Sequence, residues 1–281
     1  MVRSLPPVPR ELAYAKLNLV LHVGPPRDDG LHPISSLMAS IDLADELTAM
    51  PRQSGADHVD APGVAGENLA ARALAEFRSR AGGELPPLEL RIHKRIPVAA
   101  GLGGGSADAA AALRLANELA GGPLSAEELI RLAADLGSDV PSQLDPHHAL
   151  VEGVGERIEP LELPALVAVL VPDREGLSTA AVYAELDRLG GTRANLDPEP
   201  LKRLAAAGPE ELAAGLENDL QPAALSLRPE LSTRLDSLRS AGALGAAVSG
   251  SGPTCFGLFA QGKAAEDAAA SIPGALVTEL R

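Results

Sequence analysis

Glycines stand at 101, 103, 104 and 105, and Ser106 follows them. The alternating stretch Leu88–Ile96 reads as a strand before this segment, and the Ala- and Leu-rich run Ala107–Leu119 reads as a helix after it. Four glycines leave backbone amides uncovered, and a helix starting beyond them turns its positive end toward the loop. Together they make an anion site that needs few lysines. Ser106, at the helix start, can cap the helix or meet a phosphate-bound metal. A flexible linker would share the glycine content, but linkers seldom run straight into a well-formed helix.

Two other phosphate patterns fit less well. Gly101 and Gly103 open a G-x-G-x-x-G frame, but Ser106 stands at its last position. Gly257–Ala264 has a P-loop frame that ends in Ala264, without the hydroxyl that would hold magnesium. Phe259 inside that frame reads as strand core, so Gly262-Lys263 is expected to be a strand-to-helix turn.

Lysine is scarce, at 16, 94, 202 and 263 only. Lys16 and Asn18 share one face of the strand predicted over Glu11–Val23, about 7 Å apart for a two-residue step. Taken singly, Lys16 reads as a solvated edge residue. Asp139, in the turn Ser138-Asp139-Val140-Pro141, reads singly as a turn former. A second glycine-rich turn, Ser249-Gly250-Ser251-Gly252, offers amides without bulk and is a candidate lining for a bound acceptor. It is also what an ordinary Ser-Gly turn looks like.

The elements that must hold these residues are legible in part. A second extended stretch covers Ile34–Ala49, and a helix opens at Asn68-Leu69 and reaches about Ala81. Ser125-Ala126-Glu127-Glu128 has capping-box spacing and starts a helix that Gly137 stops. Pro141 biases Val140 toward an extended conformation. Ala165–Pro172 and Thr254–Ala260 read as strands, Lys263–Ser271 as a helix, and the region from Ser178 to about Ala246 as mostly helical. Without strict βαβ alternation, an α+β fold is favoured. A change of character near Glu156–Pro164 places a domain boundary there, giving domains at 1–158 and 159–281.

Composition narrows the class. The 281 residues contain no Trp and only five Tyr and Phe, so the core must be built from Ala, Leu, Val and Ile. A net charge of −14 argues against nucleic-acid and anionic-membrane partners, which need a broad basic surface. The single Cys255 excludes an intrachain disulfide framework and fits a reducing compartment. The N-terminus lacks the apolar core of a signal peptide, and no apolar run approaches spanning length. A soluble, cytoplasmic protein is expected.

Four segments together resemble the galactokinase, homoserine kinase, mevalonate kinase and phosphomevalonate kinase (GHMP) superfamily: Ala15–Leu19, Pro97–Ala107, Leu136–Pro141 and Val248–Thr254. Asp29–His32, Gly153–Glu156, Gly176–Thr179 with Val182-Tyr183, and Asn218–Leu220 point to the branch whose acceptor is a cytidine-diphospho sugar alcohol. The resemblance covers nearly the whole chain. It implies a ribosomal-S5-like N-terminal nucleotide-binding domain, a ferredoxin-like C-terminal domain, and ATP and Mg2+ as cofactors. ATP would meet Asn68, Lys94, Pro97, Gly101, Gly103, Gly104, Gly105 and Ser106, with Ser106 also the metal candidate. Asp139 would orient or deprotonate the acceptor hydroxyl; Lys16 would keep Asp139 ionised and stabilise charge on the γ-phosphoryl group. The acceptor would meet Asn18, Leu31, His32, Tyr183 and Ser249–Gly252, with His32 hydrogen-bonding the base and Tyr183 stacking on it. The branch usually has Tyr where Leu31 stands, an acidic residue at Pro33, an aromatic after Pro141 where Ser142 stands, and glycines at Pro146–His148. Two alternatives stay open: another acceptor, such as homoserine or a mevalonate derivative, and a non-catalytic sensor. A sensor would be expected to have lost Lys16, Asp139 or the glycine loop.

Overall fold

A computed structural model describes residues 8–64, 66–81, 85–173 and 175–281. The chain begins with β1 (Arg10–Val23), β2 (Ile34–Pro51) and β3 (His58–Asp60), then α1 (Leu69–Ala81), β4 (Leu88–His93), α2 (Gly104–Leu119) and α3 (Ala126–Leu136). A 3-10 turn at Pro141–Gln143 leads to the hairpin of β5 (Ala149–Gly153) and β6 (Arg157–Pro160), and then to β7 (Val167–Val171). Next come α4 (Thr179–Leu189), α5 (Glu199–Ala205), α6 (Pro209–Ala214), β8 (Glu217–Asn218), α7 (Gln221–Leu227) and α8 (Leu231–Ser240). The order closes with β9 (Gly245–Val248), β10 (Cys255–Phe259), α9 (Gly262–Ser271) and β11 (Leu276–Glu279). Among the described residues no helix is long and apolar enough to cross a membrane.

The chain forms two compact units, each assembled from separate stretches. The first comprises Met1–Tyr14, Ala44–Ile96 and Gly104–Asp145. Ala70, Ala73, Leu74 and Phe77 of α1 fall at helical spacing and are all enclosed, so that face of α1 is apolar by design of the sequence. They meet α2, where Ala107, Ala109–Ala112 and Ala116 are fully buried; methyl side chains let the two helices approach closely. Phe77, the one aromatic here, fills what alanines leave, and its removal would cost about 3–5 kcal/mol. The second half of β2 pairs antiparallel with β4, from Glu46 opposite His93 to Pro51 opposite Leu88, and β3 pairs parallel with β4. Asp57 fastens the approach to β3 onto α1 through both oxygens, at 2.5 and 2.7 Å from Arg78, and takes the Leu88 amide at 2.7 Å. Burial pushes the Asp57 carboxyl up, but the Arg78 and Leu88 hydrogen bonds outweigh it and hold the group below the usual carboxylate range.

The second unit comprises Ala15–Leu43, Pro97–Gly103 and Pro146–Arg281. Here β1 pairs parallel with β8, and the first half of β2 pairs antiparallel with β5. Four strands make a separate antiparallel sheet in the order β11-β7-β10-β9. Counted along the chain that is 4-1-3-2, the ferredoxin-like order. Leu235 and Leu238 of α8 and Ala265 and Ala268 of α9 contribute to the core with Val169, Val171 and Phe259.

Several details differ from the sequence reading. The strand expected to reach Ile96 stops at His93, and α2 starts at Gly104, three residues early. Val140 is helical (φ −67°, ψ −40°) despite the following proline. Its amide donates to Gly137 O at 3.1 Å and its carbonyl takes the Gln143 amide at 3.1 Å, and those local bonds override the bias. Strands β3, β5, β6, β8, β9 and β11 were not foreseen. The boundary drawn at 158/159 falls inside β6, and the two units divide the chain along other lines.

Candidate active site

In the second unit Lys16 is only 5% exposed, because the stretch of β1 that carries it is buried on both faces. Its environment explains how a charge is kept there. The ammonium donates to Asn18 Oδ1 at 2.6 Å, Asn18 Nδ2 donates to Ser36 Oγ at 2.8 Å, and Ser36 donates to Val20 O at 2.7 Å. Because Ser36 gives its proton to the carbonyl, it must accept from Asn18, which fixes the amide oxygen toward the lysine. The expectation of a solvated edge residue for Lys16 alone is therefore replaced by a buried, oriented cation. Its own amide donates to Leu102 O at 3.0 Å, which ties the glycine loop to β1.

The two glycine-rich turns meet in this unit. Gly101 has φ +76°, and a Cβ there would lie 2.4 Å from Ser249 O and 2.8 Å from Gly252 O. Ser249 Oγ donates to Gly101 O at 3.0 Å, and the Thr254 amide to Ala100 O at 3.2 Å. A Cβ on Gly103 would meet Lys16 Cγ at 3.0 Å; one on Gly250 would lie 3.5 Å from Lys16 Nζ. Ser251 Oγ is 2.9 Å from Thr179 Oγ1. Lys16, Asn18, Gly101, Gly103, Ser249, Gly250 and Gly252 thus form one cluster. Ala99, in the same loop, is the non-glycine residue at positive φ (53°) among the described residues, a strain of order 1 kcal/mol of the kind found at ligand clamps. Pro97 opens the loop half-buried.

Asn218 was noted in the sequence without a role. Its Nδ2 donates to both Val248 O and Gly250 O at 2.8 Å, and its Oδ1 takes the Leu220 amide at 2.9 Å, so it shapes the second turn. A second group in this unit pairs residues distant in sequence: the rings of His32 and Tyr183 are 5.0 Å apart and tilted by 47°. His32 Nδ1 is 2.8 Å from Gly24 O and so carries its proton toward that carbonyl, leaving Nε2 to face Asp187 at 3.4 Å. Asp187 was missed; an acid one helical turn after Tyr183 is the available signal. Leu31, about half exposed, is adjacent.

In the first unit Gly104, Gly105 and Ser106 form the opening turn of α2. Gly104 faces protein: a Cβ would lie 2.9 Å from Ile96 Cγ2. Gly105 faces open space, with nothing within 4 Å. Asn68 caps α1, taking the amides of Ala70 at 2.9 Å and Ala71 at 3.3 Å. Lys94 is held by Asp45 and Asp108 at 2.5 and 2.7 Å. Burial opposes the charge on Lys94, but the two carboxylates raise its affinity for the proton. Burial pushes Asp108 up, Lys94 pulls it back and Asp45 raises it again, leaving it at about 7. Asp45 and Asp108 were missed, although a carboxylate within an alanine run was a visible anomaly. Asp139 lies between α3 and the 3-10 turn, half-buried, and its carbonyl accepts from Ser142 Oγ at 3.0 Å. The P-loop frame is the strand-to-helix turn expected: Gly257 is buried in β10, and Lys263 is exposed and bonded to Asp267 at 2.7 Å.

A glycine loop entering a helix, a buried lysine against it and a ferredoxin-like sheet define a small-molecule phosphotransferase, and comparison with known proteins agrees. Residues 68–145 match the GHMP kinases N terminal domain and residues 199–277 the GHMP kinases C terminal domain. The chain belongs to the GHMP kinases, which use ATP. It is 44% identical to 4-diphosphocytidyl-2-C-methyl-D-erythritol kinase of Thermobifida fusca, covering 92% of this chain and 89% of the relative. Identity to the enzyme of that name from Streptomyces coelicolor is 45%, covering 91% and 89%. A crystal structure of 4-(cytidine 5'-diphospho)-2C-methyl-D-erythritol kinase superimposes with a TM-score of 0.81 at 35% identity, covering 96% of this chain and 98% of that one.

Proposed function

We propose that this chain transfers the γ-phosphoryl group of ATP to the 2-hydroxyl of 4-diphosphocytidyl-2-C-methyl-D-erythritol, in non-mevalonate isoprenoid precursor synthesis. The observation that carries the reading is Lys16: a buried ammonium, aimed by Asn18, beside both glycine turns, in a chain whose relatives at 44–45% identity carry that name. The acceptor oxygen forms a bond to the γ-phosphorus while the bond to the ADP oxygen breaks. Asp139 orients the hydroxyl or takes its proton, and Lys16 offsets charge on the phosphoryl oxygens. The amides of the 101–106 segment receive the phosphates, with Asn68, Lys94 and Pro97 near the nucleotide. His32 and Tyr183 hold the base, and Ser249–Gly252 line the acceptor.

Among the described residues no three His, Cys, Asp or Glu side chains gather as a metal cage. One hydroxyl, Ser106, suits a magnesium ion that arrives on the nucleotide and keeps most of its waters, and such an ion would neutralise phosphate charge. A cytoplasmic location belongs to the same proposal. Leu31 in place of an aromatic favours testing a second acceptor class. ADP release with 4-diphosphocytidyl-2-C-methyl-D-erythritol, homoserine and mevalonate decides between them. Turnover with the cytidine compound at least a hundredfold above the others is expected; turnover with homoserine or mevalonate alone would replace this acceptor.

A further inference from the structure

A cavity of about 350 Å3 in the second unit has no part in the proposed reaction. It opens between the last turn of α4, β8, the start of α7 and β9, and its size is within the range of small-molecule sites. Leu186, Leu189, Leu216 and Pro222 give it apolar walls, and Glu217, Asp219, Gln221 and Arg239 give it polar ones. The polar groups are not equivalent. Both carboxylates are occupied: Glu217 lies 2.5 Å from Arg193 and 3.0 Å from His22, and Asp219 meets Arg193 through both oxygens at 2.7 and 2.8 Å. Donors are what remain. Gln221 takes the Val248 amide on Oε1 at 2.9 Å, and no described group meets its Nε2. Arg239 holds the exposed Asp236 at 3.1 Å and the Ala246 carbonyl at 3.4 Å, weak contacts that a ligand can displace. Apolar walls with available donors suit an apolar body that carries an acceptor head, and the guanidinium favours an anionic one.

This cavity also borders the side chains that hold the second glycine turn. Asn218 lines it and donates to Val248 O and Gly250 O, and Gln221 lines it and holds the Val248 amide. The amide of Gln221 is rigid, so drawing Nε2 toward a ligand turns Oε1 away from Val248.

We propose that this cavity binds a small free molecule with an apolar body and a carboxylate or phosphate head, held by Gln221 and Arg239, and that its binding loosens the Ser249–Gly252 turn and weakens the acceptor. The coupling rests on the reading that this turn lines the acceptor; the binding does not. Coupling of this kind is reciprocal, so a bound acceptor weakens the molecule by the same factor.

Hexyl phosphate is the probe, with inorganic phosphate and hexanol as its two halves, titrated calorimetrically into protein saturated with a non-hydrolysable ATP analogue. It should fill one site at least about tenfold more tightly than either half. Gln221→Glu keeps an oxygen for the Val248 amide but removes the donor, and Arg239→Ala removes the cation. Each should weaken the probe about tenfold or more, with kcat and both KM values within about twofold of the parent when no probe is present. In steady-state kinetics the probe should raise KM for the acceptor several-fold and then level off, because coupling between two sites is bounded and direct competition is not. No saturable binding, equal binding of inorganic phosphate, or a rise in KM that survives both variants overturns the proposal. Gly250→Ala, within the turn, tests the underlying reading. If it leaves KM for the acceptor unmoved, the turn does not line the acceptor, and probe binding that is lost in Gln221→Glu still supports the cavity. If it raises KM while the probe does not, the coupling is overturned.

Discussion

Replacing Gly105 by alanine should raise the melting temperature and weaken ATP binding in the same protein. Gly105 is helical, and a Cβ there meets nothing within 4 Å, so the substitution removes unfolded-state freedom without a clash. That is worth about 0.5–1 kcal/mol, or roughly 1–4 °C for a chain of this size. The methyl group nevertheless occupies the space over the amides that a phosphate must enter. Losing one charge-assisted hydrogen bond costs about 1.5–3 kcal/mol, which is roughly a 10- to 150-fold rise in Kd. Gly104→Ala is the contrast. Its Cβ would sit 2.9 Å from Ile96 Cγ2 and 3.2 Å from Ile96 Cβ, an overpacking that costs about 1–3 kcal/mol, so its melting temperature should fall. Thermal melts and equilibrium binding of a non-hydrolysable ATP analogue read both quantities. A Gly105→Ala protein that is more stable and binds the analogue within twofold of the parent refutes the placement of the phosphates at this turn.

Asp139→Asn and Lys16→Ala should each lower kcat on the order of a hundredfold or more, with ATP affinity and far-UV circular dichroism largely unchanged; near-normal turnover in either sinks the assignment. Leu31→Tyr should lower KM for the cytidine substrate several-fold, because base stacking is worth about 1–3 kcal/mol and leucine recovers only part of it. Tyr183→Ala should raise that KM and spare kcat, and silence of both variants in steady-state kinetics would remove the base from this pocket. Asp57 has a depressed folded-state pKa, so its contribution to stability is present above the unfolded value of about 4 and is lost as pH falls through the folded value. In denaturant melts the stability gap between the parent and Asp57→Asn should close below about pH 4; a gap unchanged between pH 7 and pH 3 contradicts the Arg78 pairing.

The parts of the fold that the sequence revealed are those fixed by local chemistry. The capping box at Ser125 is present, with the Glu128 amide on Ser125 Oγ at 3.3 Å and the Ser125 amide on Glu128 at 2.8 Å. The α1 stripe, the strand Arg10–Val23 and the pairing of Lys16 with Asn18 follow from periodicity of 3.6 and 2. Residues whose role depends on distant partners were not legible. The two-residue β8 exists because β1 offers an edge, and no pattern of its own announces it. Asp45 gives no sign in sequence that it will bind the backbone fifty residues later, nor Asn218 that it will hold the turn at Val248–Gly250. Gly104 and Gly105 look identical in sequence, yet one borders Ile96 and the other borders empty space.

The discontinuous make-up of the units has a consequence for synthesis. The stretches of the first unit end at Asp145, so that unit can close while the remainder is still being translated. The second unit cannot, because its strand segments at 15–43 are made first and wait for partners made last. The edge of β1 that β8 covers stays open until residues 217–218 emerge, about 170 residues after Leu43. At about 5–20 residues per second that is a delay of roughly 10–35 s. Throughout it, the strand that carries Lys16, flanked by Leu17, Leu19, Val20 and Leu21, presents an apolar edge of the kind that recruits other chains. Conditions that slow elongation after residue 145 should lower the yield of folded protein more than equal slowing before it.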